Sequence, residues 1–135
     1  MTTLFTKILD GDLPGRFVYR DDISAAFLTI APISPGHTLV VPVAEVDHWI
    51  DLDDDTAAHL MLVAKRVASA QQRVFSPRRV ALMIAGLEVP HTHLHVLPIA
   101  SESDLDFAKA RSDTPADELD RIAEQLRREV ARDVD

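Results

Sequence analysis

Cysteine is missing altogether from the 135 residues, which removes disulfides, thiolate nucleophiles and any zinc site built on sulfur. Histidine is left as the strongest nucleophile or ligand. Aromatic residues make up only 5% of the chain, and 14 Lys and Arg stand against 22 Asp and Glu, for a formal charge of −8. An extended nucleic-acid surface needs a basic stripe or stacking aromatics; the sequence has neither, so no nucleic-acid partner is expected. Nowhere do the about 18 consecutive apolar residues of a membrane span occur. The segment Met1-Thr2-Thr3-Leu4-Phe5-Thr6-Lys7 also lacks the apolar core and small-residue cleavage site of a signal peptide. The expectation is a cytoplasmic protein with no membrane partner.

What is present is a hydrophobic content of 47%, enough for one domain with a self-sufficient core. Acidity does not exclude a small anionic ligand, because backbone N–H groups and a few imidazoles can hold one phosphate whatever the net charge. Residues Leu4 to Leu9 fit a short helix ended by Asp10-Gly11-Asp12 and Pro14. Phe17-Val18-Tyr19 and Ala25 to Ile30 read as strands of a hairpin about Arg20-Asp21-Asp22, and His37 to Val41 as a third strand ended by Pro42. From Asp53 to Phe75 apolar residues recur at helical spacing, with Ala57, Leu60, Met61, Ala64, Val67 and Ala68 on one face and acids at the N-terminus. Val80 to Ala85 reads as a buried strand and His91 to Leu97 as an alternating one closed by Pro98. A last helix follows, with Thr114 as N-cap, Pro115 at the first helical position and a stripe of Leu119, Ile122, Ala123, Leu126 and Val130. Hairpin strands, a long helix and further strands predict an α+β fold with a largely antiparallel sheet.

The densest chemistry lies in His91-Thr92-His93-Leu94-His95. Side chains alternate across a strand, so the three imidazoles share one face, with alternate residues about 7 Å apart at the backbone. Crowded imidazoles cannot all stay protonated: a neutral one can attack phosphorus while another stabilises charge or handles the leaving group. Spacing alone does not choose among the three. Histidines on a strand can also ligate zinc, but no further acid or thiol stands at ligand spacing, Glu88 being the only close carboxylate. No metal and no cofactor are expected.

The run His91 to Leu97 resembles the signature of the histidine-triad (HIT) family, in which histidines alternate with hydrophobic residues. Phe5 to Pro14, Ala26 to Pro32 and Pro35 to Pro42 resemble successive further landmarks of that family, so the likeness covers about residues 3 to 107. It implies a HIT domain over 3–107, with 108–135 as a C-terminal helical extension of the same domain. The implied fold is a mainly antiparallel five-stranded sheet with one long central helix and a C-terminal helix, the sheet extended across a homodimer. Gly86 to His91 and Ser101 to Leu105 resemble a group of short bacterial members.

The resemblance further implies a hydrolase of nucleoside phosphoramidates, or of related nucleoside monophosphate conjugates, acting on an AMP-like purine nucleoside phosphate. His93 would form a nucleotidyl-histidine that water cleaves, His95 would contact the phosphate and assist the leaving group, and His91 and His37 would support the imidazoles. Leu4, Phe5, Ile8, Phe27 and Ile30 match apolar walls around base and ribose, and they are equally good core residues. Two other readings stay open: a dinucleoside polyphosphate hydrolase, and a nucleotide-binding dimer whose catalysis is vestigial.

Several positions depart from the family pattern. Thr29 stands where many relatives bind the ribose hydroxyls with an aspartate, and Leu87 where a phosphate-region glutamine is common. Glu88 is either an orienting group at the substrate or a solvated loop residue. Where some relatives hold a structural zinc, this chain has Thr3, Thr6 and Glu45 with His91.

Overall fold

The computed structural model describes residues 2–133. In chain order the elements are α1 (Leu4–Leu9), β1 (Phe17–Arg20), β2 (Ser24–Leu28), β3 (Thr38–Pro42), α2 (Asp54–Phe75), β4 (Arg79–Met83), β5 (Leu94–Ile99) and α3 (Ala116–Arg132). Short 3₁₀ turns lie at Trp49–Asp51, Glu102–Asp104 and Phe107–Lys109. The strands form one five-stranded sheet in the order β1-β2-β3-β5-β4, and every neighbouring pair is antiparallel. The α+β class, the long helix and the C-terminal helix are those expected from the sequence. No helix among the described residues is long and apolar enough to cross a membrane.

Local chemistry accounts for most element ends. The Asp21 carboxylate accepts from the Ile23 and Ser24 N–H groups at 2.8 and 2.7 Å, which closes the β1–β2 turn. Asp53 caps α2 by accepting from Thr56 N–H at 2.7 Å, and Thr3 caps α1 by accepting from Thr6 N–H at 3.1 Å.

Six expectations need correction. The histidine strand begins only at Leu94, because the backbone before it pairs elsewhere: Thr92 N–H donates to the Val46 carbonyl at 2.7 Å and His91 N–H to the Val89 carbonyl at 2.8 Å. Nor does Pro98 close it; past Val96 only β4 still pairs with β5, and a proline is tolerated where one side of a strand is free. The strand after α2 is not buried, since β4 is the end of the sheet: Arg79 and Leu82 are exposed and Val80, Ala81 and Met83 half-buried. Along α2 the buried stripe is Leu60, Val63, Ala64, Val67, Ala70 and Gln71, so Ala57 and Met61 face outward. Finally, β2 stops at Leu28, two residues early, and α3 starts at Ala116 after Pro115, with no side-chain cap from Thr114.

The sheet divides the interior into two unequal halves. On one face Val18, Ala26, Leu28, Val40, Leu94 and Val96 pack against α2 and α3, whose Leu60, Val63, Val67, Leu119, Ile122 and Leu126 complete the main core. On the other, Ala25, Phe27, Leu39 and Val41 meet only Phe5 and Leu9 of α1 and their partly buried neighbours. Gln71 reaches from α2 through the main core, donating from Nε2 to the Gly36 and Val96 carbonyls at 2.8 and 2.9 Å. This clamps β3 to β5 just where His37 and His95 emerge. Gly36 has φ +92°, and a Cβ there would collide with the Phe75 ring, so the turn into β3 requires glycine.

Candidate active site

On the thinner face a cleft of about 500 Å³ opens between α1, the β2 end and the histidines. Leu4, Phe5 and Ile8 form one wall; Phe27, Thr29 and Ile30 form another. His37, His93 and His95 make the floor, and Glu88 stands at the rim. Every site residue expected from the sequence lines this cleft except His91. That histidine is fully buried behind the wall, held by Thr3 and by the Pro42 carbonyl. Leu87 is 95% exposed and lines a separate cleft with Trp49, so it does not face the imidazoles.

Sequence reasoning missed Leu13, Arg16, Val89, Phe107 and Ala110, which also line the cleft. Pro14, legible as part of a helix stop, and Gly15 line it too. Phe107 carried one local signal, the short turn capped by Asp106, whose carboxylate accepts from Ala108 N–H at 2.9 Å.

Hydrogen bonds to backbone groups of known polarity fix the imidazole tautomers. His93 Nδ1 lies 2.7 Å from the His91 carbonyl, which can only accept; Nδ1 therefore carries a proton, and in the uncharged tautomer the lone pair is on Nε2. Ile33 N–H donates to His37 Nδ1 at 3.0 Å, so the His37 proton sits on Nε2, from which it is donated to His95 Nδ1 at 2.9 Å. That leaves the His95 proton on Nε2. His91 donates from Nε2 to the Pro42 carbonyl at 2.8 Å and accepts at Nδ1 from the Thr3 hydroxyl at 2.7 Å.

The cleft floor thus holds one imidazole lone pair, on His93, beside one imidazole N–H, on His95, with ring centres 4.9 Å apart. Burial holds His37 uncharged by pushing its pKa down to about 4. Burial, aided by the neighbouring His37 and His93, takes His95 down to about 3. His91 is likewise lowered by burial, against the opposing pull of the Pro42 carbonyl and Glu45. Near neutral pH His37 and His95 are therefore uncharged, so His95 offers an N–H rather than a cation beside His93. Phe5 fixes the His93 ring by an edge contact at 5.0 Å and touches His91 at 5.6 Å. Thr29 accepts from Ala31 N–H at 3.1 Å, which leaves its hydroxyl proton free for one contact toward the cleft.

The model of the HIT domain family matches residues 10–102. The chain belongs to the HIT family. It is 37% identical over 102 residues to an uncharacterized HIT-like protein of Borreliella burgdorferi, covering 70% of this chain and 73% of that one. It is 33% identical over 107 residues to an adenosine 5′-monophosphoramidase of Schizosaccharomyces pombe, covering 76% of this chain and 77% of the relative. Among solved structures, a Zn-bound histidine triad family protein from Mycobacterium smegmatis superposes with a TM-score of 0.82 at 28% identity, covering 98% of this chain and 95% of the other.

The groups of this HIT domain do not fit such a metal. Among the described residues no three His, Cys, Asp or Glu side chains converge on one point. At the foot of α1, Glu45 accepts from Thr3 N–H at 2.8 Å, Thr3 accepts from Thr6 N–H, and the Thr3 hydroxyl is spent on His91. Neutral Thr3 and Thr6 hydroxyls stand in place of thiolates, and both ring nitrogens of His91 are already hydrogen-bonded.

Proposed function

We propose that this HIT protein hydrolyses a nucleoside monophosphate joined to an amine, through a nucleotidyl intermediate on His93. The observation that carries the reading is the orientation of His93: its Nδ1 proton is committed to the His91 carbonyl at 2.7 Å, so Nε2 is the ring nitrogen presented as nucleophile in a cleft sized for a nucleoside. Similarity to an adenosine 5′-monophosphoramidase supports an AMP-like purine nucleoside phosphate as the substrate class.

In the first step His93 Nε2 bonds to phosphorus and the P–N bond to the amine breaks; the electron pair leaves on nitrogen, which takes a proton from solvent. In the second, water bonds to phosphorus, releases a proton to solvent, and the P–N bond to His93 breaks. His95 is neutral and is not asked to give up its only proton; its Nε2–H hydrogen-bonds the phosphoryl group and stabilises the developing charge. His37 holds His95 in that tautomer, and His91 does the same for His93 through its carbonyl. Base and ribose lie along Leu4, Phe5, Ile8, Phe27 and Ile30, with the Thr29 hydroxyl toward the ribose.

Rapid quenching without acid after mixing with a phosphorus-labelled adenosine phosphoramidate should trap label on the wild-type protein. No label on protein, together with full activity in His93→Ala, rules the mechanism out. Tight nucleotide binding without turnover would favour a vestigial site.

We further infer a homodimer joined through β4. This strand ends the sheet with one edge unpaired, Leu82 on it is 40% exposed, and Met61 and Leu62 of α2 are 57% and 55% exposed. Light scattering on the wild type and on Leu82→Asp tests it: a dimer is expected in the first and monomer in the second, and a monomeric wild type overturns it.

A further inference from the structure

Four rings stand in a row along the cleft. Phe5 meets His93 at 5.0 Å between centres, His93 meets His95 at 4.9 Å, and His95 meets Phe107 at 5.0 Å. The two imidazoles are therefore bracketed by phenyl rings, and the ends are built differently. The Phe5 end is deep: Phe5 is 5% exposed and packs on Phe27 at 5.7 Å, with Ile8 beside it. The Phe107 end is open: Phe107 is 43% exposed, and Ala110 and Ala31 leave space around it.

Phe107 is nevertheless held in place. Its turn is capped by Asp106, Lys109 Nζ donates to the Ser103 carbonyl at 2.7 Å, and Arg111 N–H donates to the Pro32 carbonyl at 2.9 Å. The Phe107 ring packs against His95 on one side and is left half bare at the site mouth, where its free face is available to a ligand.

We infer that Phe107 is the specificity-determining wall of a second subsite, which takes a planar ring carried by the leaving group. The inference rests on the phosphoryl-transfer reading above. With the nucleoside in the deep Phe5 end and phosphorus over His93 and His95, the remaining substituent on phosphorus has the Phe107 end left to occupy. Two sources could supply its ring, an aromatic amine or a second nucleobase at the far end of a polyphosphate.

The test compares three probes: unsubstituted adenosine 5′-phosphoramidate, the adenosine phosphoramidate of an indolylethylamine, and diadenosine tetraphosphate. For each ring-bearing probe the quantity read is its kcat/KM divided by that of the unsubstituted one, in wild type, Phe107→Ala and Phe107→Leu. One aromatic contact corresponds to a selectivity change of about 3- to 10-fold, so the ratio should fall by about that much in both variants. The probe whose ratio falls identifies the source of the ring. A ratio kept for both probes in Phe107→Ala, or kept in Phe107→Leu, overturns the inference. If the wild type turns over none of the three, the proposed hydrolysis fails on its own account. The same ratios are then taken from calorimetric dissociation constants of the uncleaved probes, and their fall or constancy decides the subsite independently.

Discussion

The two faces of the sheet carry different burdens. One is covered by α2 and α3 and holds the larger core, nearly all of it apolar. The other is covered by a six-residue helix and holds four buried or nearly buried histidines. Apolar area removed from water is what stabilises a fold of this size, so the helix face sets the stability of the molecule. The imidazole face can then keep its lone pair, its neutral rings and an open cleft, features that would weaken a core. Substitutions on the two faces should separate cleanly into losses of stability and losses of activity.

The largest expected effect falls on the cleft side. His93→Ala should lower phosphoramidate turnover by about 10⁴-fold or more while moving the thermal midpoint little, measured by steady-state kinetics beside a melting curve. Equal collapse of both would mean that the faces are not independent. Next comes the opposite case. Leu126, fully buried in the main core, should cost about 2–5 kcal/mol of stability when changed to Ala. Its kcat per folded molecule should stay near wild type in urea titrations paired with assays below the transition.

A third, smaller effect distinguishes the faces by pH. His37 and His95 have folded pKa values of about 4 and about 3, against about 6.5 in the unfolded chain. On acidification the unfolded state binds these protons first, so stability is fully present above about pH 6.5 and is lost as pH falls toward the folded values. The urea midpoint should already decline between about pH 6.5 and 5, before most carboxylates titrate. Replacing His37 with Gln should flatten that slope, and a wild-type midpoint constant over the interval would contradict the buried neutral pair. The smallest effect concerns Thr29. A carboxylate there would accept from both ribose hydroxyls, so Thr29→Asp should raise the preference for ribo- over deoxyribonucleoside substrate severalfold, read as a ratio of kcat/KM values.

Much of this could be read in advance. The period of two in the histidine run placed Leu94 and Val96 in the core and His93 and His95 on the opposite face, and the structure has that arrangement. The stripe of α3 was legible for the same reason, since all five of its named apolar residues are buried. The stripe of α2 was misjudged at Ala57 and Met61, because helical periodicity gives the direction of a face but not where its edges lie. The strand start at Leu94 was hidden because the Val46 carbonyl that captures Thr92 lies 46 residues away. Around Phe107 only the Asp106 turn was signalled: half-exposed aromatics have no periodicity, and the ring matters because it lies beside His95.

By itself the sequence determined the fold class, the histidine cluster and the family, because alternation, helical spacing and turn residues act over a few neighbouring positions. It did not determine which histidine attacks. In the proposed reaction that choice rests on three hydrogen bonds between distant segments, from His91 to Thr3 and to the Pro42 carbonyl and from His37 to His95, together with the local one from His93 to the His91 carbonyl. A tautomer depends on what the other ring nitrogen meets, and only the folded chain brings those partners together.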